Sequence, residues 1–139
     1  MPAKDIYHNT VKCALQKDGW TITHDPFPLQ IGKKRLSADL GAERLVSAEK
    51  ETRRIVVEVK SFVGQSDVKD LEQALGQYVL YQQILNEMGS ERELYLAVSQ
   101  LTFNSVFSIE LGQVLLKNRV IKLVVFDDIS EVIAQWIPD

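Results

Sequence analysis

The chain has 139 residues, a mass of 15.8 kDa and a formal net charge of −3. With 45% hydrophobic and 25% charged residues it has ordinary globular composition, which excludes a disordered tail, a fibre and a disulfide-dense scaffold, and the length predicts one domain over residues 1–139. The single cysteine, the absence of a signal-peptide core and the lack of an apolar run of ~18 residues predict a cytoplasmic protein that makes no membrane contact.

The first half of the chain predicts one helix followed by strands. Apolar residues from Ile6 to Leu15 are spaced for one helical face, and Gly19 is typical of a helix end. Two prolines, a glycine and the run Lys33-Lys34-Arg35 predict a loop. In chain order, the predicted elements are a helix over 3–18, a strand over 20–24, a loop over 26–35, a strand over 36–49 with a break near Gly41, and a strand over 53–62 that pairs with it as an antiparallel hairpin.

The second half alternates helices and strands. Ser66 is a predicted N-cap for a long helix whose apolar residues recur at helical spacing. The predicted elements are a helix over 67–88, a strand over 93–99, a helix over 102–117, a strand over 120–126 and a short helix over 130–136. The order α-β-β-β-α-β-α-β, with a short C-terminal helix, indicates an α/β fold in which a mixed sheet is covered by helices on both faces.

One predicted strand carries two charges in an otherwise apolar run. In Ile55-Val56-Val57-Glu58-Val59-Lys60, strand alternation places Glu58 and Lys60 on the same face, about 7 Å apart. Charged groups on such a strand need partners or a metal ion. The alternative is an edge strand whose Glu–Lys pair is simply solvated.

The preceding strand offers a second carboxylate. Asp39 lies 19 residues before Glu58, and the hairpin pairing brings the two to the same end of the sheet. Two carboxylates that stay partly hydrated suit a divalent ion such as Mg²⁺ or Mn²⁺. Lys60 would hold the attacking water or stabilise charge on a phosphate, which is the equipment for metal-assisted phosphodiester hydrolysis. The alternative for Asp39 is a turn residue before Gly41.

This arrangement resembles the PD-(D/E)xK nuclease superfamily, which includes restriction endonucleases and RecB-type nuclease domains. The shared features are a first helix, a hairpin with Asp39 and then Glu58-Val59-Lys60, and a long helix, although Ala38 stands where the proline gives the motif its name. The resemblance implies a restriction-endonuclease-like sheet. It assigns metal binding to Asp39 and Glu58 and support of the nucleophile to Lys60.

Secondary site candidates follow from the same resemblance. Relatives often carry a metal-binding Glu in the first helix; His8 stands near that position, with Asp5 as a competitor, and the plainer interpretation of His8 is a surface residue. RecB-like relatives carry Gln-x-x-x-Tyr after the lysine, which Gln77 and Tyr81 match. With Gln73 they share one helical face, and they would contact either the site or DNA; a polar helix flank is the alternative.

Basic residues suggest where a polyanion would approach. Residues 1–60 hold 11 Lys/Arg and 8 Asp/Glu, whereas residues 61–139 hold 5 and 11. We expect DNA on the first half and a protein partner on the second. The candidate DNA contacts, as a rim close to the site, are Lys33, Lys34, Arg35, Arg53 and Arg54. Glu43 is either a further ligand or, more simply, the partner of Arg44 or Arg54.

Over nearly its whole length the chain resembles one family, XisH. The resemblance is carried by Ser37-Ala38-Asp39-Leu40-Gly41-Ala42-Glu43, by Val57-Glu58-Val59-Lys60-Ser61-Phe62 and by Ala134-Gln135-Trp136. XisH proteins are cyanobacterial factors that control excision of the fdxN element during heterocyst differentiation. The resemblance implies control of DNA rearrangement beside a site-specific recombinase and a XisI-like protein, and we also expect a homodimer or larger assembly. Two functions stay open: magnesium-dependent cleavage of DNA, or a non-cleaving accessory role that steers the recombinase.

Overall fold

A computed structural model of the chain describes residues 4–46, 48 and 50–139. Its helices are α1 (His8–Lys17), α2 (Asp67–Glu87), the single turn α3 (Gln100–Thr102), which continues as a π-helical segment (Phe103–Phe107), and α4 (Glu110–Lys117). Its strands are β1 (Thr21–His24), β2 (Phe27–Ile31), β3 (Lys34–Ala38), β4 (Leu40–Leu45), β5 (Thr52–Val59), β6 (Glu93–Ser99), β7 (Leu123–Asp127) and β8 (Val132–Ile137).

Six strands form one mixed sheet in the order β1-β4-β5-β6-β7-β8. The β4–β5 pair is antiparallel, which confirms the predicted hairpin. The β5–β6 and β6–β7 pairs are parallel, and helices α2 and α3–α4 make the crossovers that parallel strands require. The predicted α/β class with a mixed sheet is therefore confirmed, whereas the order of elements differs from the predicted one in the ways described below.

Helices cover both faces of this sheet, as predicted. On one face, Ile55, Val57 and Val59 of β5 pack in a cluster with residues of α1, including Val11 and Leu15. On the other face, residues of α2 pack in a second cluster that contains Val56, Leu71, Tyr78 and Leu85. The alternation predicted for β5 is thus confirmed, and it directs Glu58 and Lys60 towards the α2 face. Ser66 caps α2 as predicted, since its side chain accepts a hydrogen bond from the Lys69 N–H.

The loop predicted over 26–35 is wrong: this segment contains most of a two-stranded hairpin, β2–β3, outside the main sheet. Its inner face buries Phe27, Leu29 and Ala38. Gly32 has a φ of +57° in the two-residue turn, a conformation that glycine adopts at little cost. The strand predicted over 36–49 is consequently divided. β3 ends at Ala38 and β4 begins in the main sheet at Leu40, with Asp39 between them.

The predicted C-terminal helix is also wrong, because residues 132–137 form the edge strand β8, antiparallel to β7. Asp127 makes a turn before β8, with its carboxylate accepting the N–H groups of Ile129 and Ser130. Trp136 then packs edge-on against Tyr95, 5.0 Å between ring centroids. The pairing with β7 and the packing of the half-buried Trp136 against the sheet override the local helix signal.

Several helix and strand boundaries differ from the predicted ones, and the strand predicted over 53–62 ends at Val59. Helix α1 begins at His8; residues 1–3 of its predicted span lie outside the described residues, and residues 4–7 are not helical. The helix predicted over 102–117 is divided into three pieces, and the strand predicted from 120 begins at Leu123. In the described part of the chain, no helix combines the length and apolar character needed to cross a membrane.

Candidate functional site

A cleft of ≈ 270 Å³ opens at the carboxyl end of β5, where the β3–β4 junction, the start of α1 and the middle of α2 meet. It is lined by Lys4, Asp5, His8, Asp25, Pro26, Ser37, Ala38, Asp39, Glu58, Val59, Lys60, Gln77 and Tyr81. Seven of these residues are site candidates from the sequence: Asp5, His8, Asp39, Glu58, Lys60, Gln77 and Tyr81. The fold brings them together although they span more than half of the chain.

Two hydrogen bonds link the segment of Asp39 to the segment of Glu58 and Val59. The Asp39 N–H donates to Glu58 Oε1 at 3.1 Å, and the Val59 N–H donates to Asp39 Oδ2 at 2.7 Å. The last paired residues of the β4–β5 ladder are Leu40 and Val57, so Asp39 and Glu58 stand opposite each other one step beyond it. Hydrogen bonds from backbone N–H groups to side-chain oxygens replace the ladder pairing here, and they hold both carboxyl groups at the cleft.

Burial governs the charge of this pair. Glu58 is 8% exposed, and the side chain of Asp39 is 21% exposed. Loss of water raises the pKa of Glu58 to about 9, with further contributions from the Asp39 charge and a hydrogen bond to the Asp39 side chain. At neutral pH Glu58 is therefore protonated.

His8 lies against Asp39 and is 3% exposed, so the expectation of a surface histidine is wrong. Its Nε2 is hydrogen-bonded to Asp25 Oδ1 at 2.7 Å, and Lys12 Nζ donates to Asp25 Oδ2 at 2.8 Å. Burial acts to raise the pKa of Asp25, but the hydrogen bonds from Lys12 and His8 bring it below its usual value. The other ring nitrogen, Nδ1, is 3.4 Å from Asp39 Oδ1 and makes no hydrogen bond within the described part of the chain.

Helix α2 supplies the opposite wall. Lys60 Nζ donates to Gln73 Oε1 at 3.2 Å, which fixes the ammonium group beside the carboxyl pair. Gln77 and Tyr81 follow on the same helical face and line the cleft. Burial, followed by the charges of Glu58 and Asp39, raises the pKa of Tyr81, so its hydroxyl stays a proton donor.

Two acids have roles that the sequence did not assign. Asp5 is the alternative to His8 as a ligand, but both of its carboxylate oxygens accept hydrogen bonds from backbone N–H groups. Oδ1 accepts the Tyr7 N–H and Oδ2 accepts the Ser61 N–H, each at 2.9 Å. It clamps the start of α1 to the chain after β5. Asp25 was missed, because an aspartate before a proline is typical of a turn and gives no sign of a buried histidine 17 residues earlier.

The predicted basic rim is only partly near the cleft. Arg53 and Arg54 stand at the beginning of β5, whereas Glu58 is near its end, so these two arginines do not border the site. Arg53 bonds the hydroxyl of Tyr95 and pairs with Glu93, and Arg54 pairs with Glu43 at 3.2 Å, which confirms the simpler interpretation of Glu43. Lys33, Lys34 and Arg35 lie at the exposed tip of the β2–β3 hairpin, and β3 leads from there into the cleft.

The donor set suits a hard divalent cation. Among the described residues, no three His, Cys, Asp or Glu side chains form a ready-made ligand cluster. Mg²⁺, however, keeps several water ligands and is usually held by one or two carboxylates, which the Asp39–Glu58 pair provides. Two observations agree with a cation here: burial and the neighbouring Asp39 charge raise the pKa of Glu58, and the buried His8 Nδ1 has no hydrogen-bond partner among the described residues.

Three comparisons place the chain among known proteins. The family model described as "XisH protein" matches residues 1–134. A crystal structure of an fdxN element excision controlling factor protein from Anabaena variabilis is 38% identical, with a TM-score of 0.85. An XisH family protein from Nostoc punctiforme PCC 73102 is 39% identical, with a TM-score of 0.84. Each alignment covers 96% of this chain and 99% of the other. A search of curated proteins found no match.

Proposed function

The chain belongs to the XisH family, and we propose that it is a controlling factor for DNA excision that acts through a metal-dependent nuclease site of the PD-(D/E)xK type. One observation carries the proposal. Asp39, Glu58 and Lys60 converge in one cleft, and the two carboxyl groups are hydrogen-bonded to each other's strands. The excision role is taken from the description of the Anabaena variabilis relative.

In this proposal Asp39 and Glu58 hold the cation. The chemistry that a divalent cation would supply here is acidification of a water and neutralisation of charge on the scissile phosphate. Glu58 would serve as a ligand in its deprotonated form. Asp25 fixes the orientation of His8, whose Nδ1 faces Asp39 Oδ1 at 3.4 Å.

In this proposal Lys60 acts on the attacking water and the phosphate. Its ammonium is anchored by Gln73 at 3.2 Å, and it stands beside the acids without an ion pair to any described carboxylate. A positive charge at this place orients an attacking water and stabilises the charge that develops on a phosphate. Tyr81 and Gln77 contribute hydrogen-bond donors along the same wall.

Nicking of supercoiled plasmid with Mg²⁺ or Mn²⁺ tests the proposal. We expect nicking by the wild type and a loss of about 100-fold or more in Asp39→Asn and in Lys60→Met, because each removes a group that acts in the transition state. Lys69→Met, at a lysine that is 83% exposed on α2, is the matched control and should nick like the wild type. Titration calorimetry should show cation binding by the wild type and none by Asp39→Asn.

The second candidate function is a non-cleaving accessory role with a protein partner such as a XisI-like protein. The observation that favours it is a group of exposed apolar side chains on α4 and its flanks, each at least 40% exposed: Ile109, Leu111, Val114 and Val120. They lie in the acidic half of the chain. Cation binding without nicking, both alone and with the partner, would support this role in place of the nuclease.

A further inference from the structure

The outer face of the β2–β3 hairpin carries a strip of polar side chains that runs into the cleft. Antiparallel pairing alternates the two faces: Phe27, Leu29 and Ala38 lie on the inner one and are buried. Gln30 and its partner Arg35 lie on the outer one, as does Ser37. Arg35 and Ser37 are two residues apart on β3, about 7 Å along the strand, Lys33 precedes them in the turn, and Ser37 lines the cleft beside Asp39.

The cations at the tip of the hairpin are uncompensated. Lys33 in the turn and Lys34 and Arg35 on β3 are exposed, and no described carboxylate lies within ion-pairing distance of them. They form the longest run of cations in a chain whose net charge is −3. A tight two-residue turn and a buried inner face hold the strip in place, so it presents its charges without first having to be ordered.

The base of the hairpin is tied to the candidate site at both ends. Asp25, just before β2, is bonded to His8 Nε2 at 2.7 Å. Asp39, just after β3, has Oδ1 3.4 Å from His8 Nδ1. The position of the strip is thereby fixed relative to the acid pair.

We infer that this strip is the track along which a DNA strand enters the cleft, with Lys33 and Arg35 contacting successive parts of the phosphate backbone and Ser37 standing at the entrance. The inference rests on the proposed function for what happens in the cleft, but binding along the strip does not require cleavage. DNA fits better than an acidic protein because unpaired cations on an extended ribbon match a regular polyanion, and backbone contacts of this kind position a duplex without reading its sequence.

Fluorescence anisotropy with a labelled DNA duplex, at several NaCl concentrations and without divalent ions, tests this. Each phosphate contact contributes about 0.9 to the slope of log K against log salt. The double variant Lys33→Gln/Arg35→Gln should lower that slope by about 2 and weaken binding at low salt on the order of tenfold or more. Lys117→Gln/Arg119→Gln removes the same two residue types at the same spacing from the exposed end of α4, and should leave the slope unchanged.

Two results would overturn the inference: equal losses in both double variants, or no binding of the duplex by the wild type. Asp39→Asn separates it from the nuclease proposal, because this variant should keep the wild-type salt slope. If no protein nicks DNA while the Lys33/Arg35 variant alone loses binding, the track stands and the nuclease proposal fails. If Asp39→Asn alone loses nicking while the Lys33/Arg35 variant binds and nicks like the wild type, the nuclease proposal stands and the track inference fails.

Discussion

Glu58→Gln should make the metal-free protein more stable at neutral pH. The carboxyl group of Glu58 has its pKa raised from 4.5 to about 9, so between these values the folded protein keeps a proton that the unfolded chain has released. The free energy of unfolding then falls by about 1.4 kcal/mol for each pH unit. Stability from this group is fully present below pH 4.5 and is lost as the pH rises towards 9.

The size of the effect follows from the pH chosen. From about pH 4.5 to about pH 7.5, the accumulated loss is on the order of 4 kcal/mol. Glutamine has nearly the shape of the protonated acid, and its side-chain oxygen can still accept the Asp39 N–H, but it has no proton to lose. Glu58→Gln should therefore match the wild type near pH 4.5 and exceed its stability by up to about 4 kcal/mol near pH 7.5.

Urea unfolding of both proteins in chelator, across this pH range, measures the difference. Glu72→Gln is the control, because that side chain is 64% exposed on α2 and its contribution is screened by water. If the free energies of unfolding of Glu58→Gln and the wild type changed with pH in parallel, the raised pKa of Glu58 would be refuted. Adding Mn²⁺ should then raise the stability of the wild type only, since a ligand stabilises the folded state that binds it and the glutamine supplies no anionic ligand.

Three smaller predictions concern stability, all measurable by urea unfolding. Gly112→Ala should destabilise by about 1–3 kcal/mol, because the added Cβ would lie 2.4 Å from backbone atoms of the π-helical segment. Gly76→Ala in α2 should instead stabilise by about 0.5–1 kcal/mol, since the Cβ meets nothing within 4 Å. Asp25→Asn should cost about 1–3 kcal/mol at pH 7 by removing the charged partner of His8 and Lys12. Because the pKa of Asp25 is lowered, that cost should diminish as the pH falls through its folded-state value.

The elements that the sequence predicted well are those with an unbroken period. Helix α2 and strand β6 keep their apolar spacing from end to end, and both were placed within one residue. The alternation in β5 was enough to predict that Glu58 and Lys60 share a face. Residues 26–35 failed because Pro28 and the cationic run conceal an alternation in which only Phe27 and Leu29 are buried.

Contacts between segments that are far apart in the sequence could not be predicted from local sequence patterns. The place of His8 depends on how α1 docks against the β3–β4 junction, and no local pattern in the first helix reports that its partner is Asp25. Strand β8 is a similar case, since its pairing with β7 and the packing of Trp136 on Tyr95 decide its conformation. The acid pair itself was predictable because one hairpin joins its two members.

Asp39 explains why the candidate site lies where it does. The chain leaves one sheet at Ala38 and enters another at Leu40, so ladder pairing stops and the N–H groups of Asp39 and Val59 need other acceptors. The Glu58 and Asp39 carboxyl groups supply them. Each acid thus completes the backbone hydrogen bonding of the other's strand, and the same bonds hold both at the cleft. The strand junction and the acid pair form one structure, so the stability effects of substituting both acids should be non-additive.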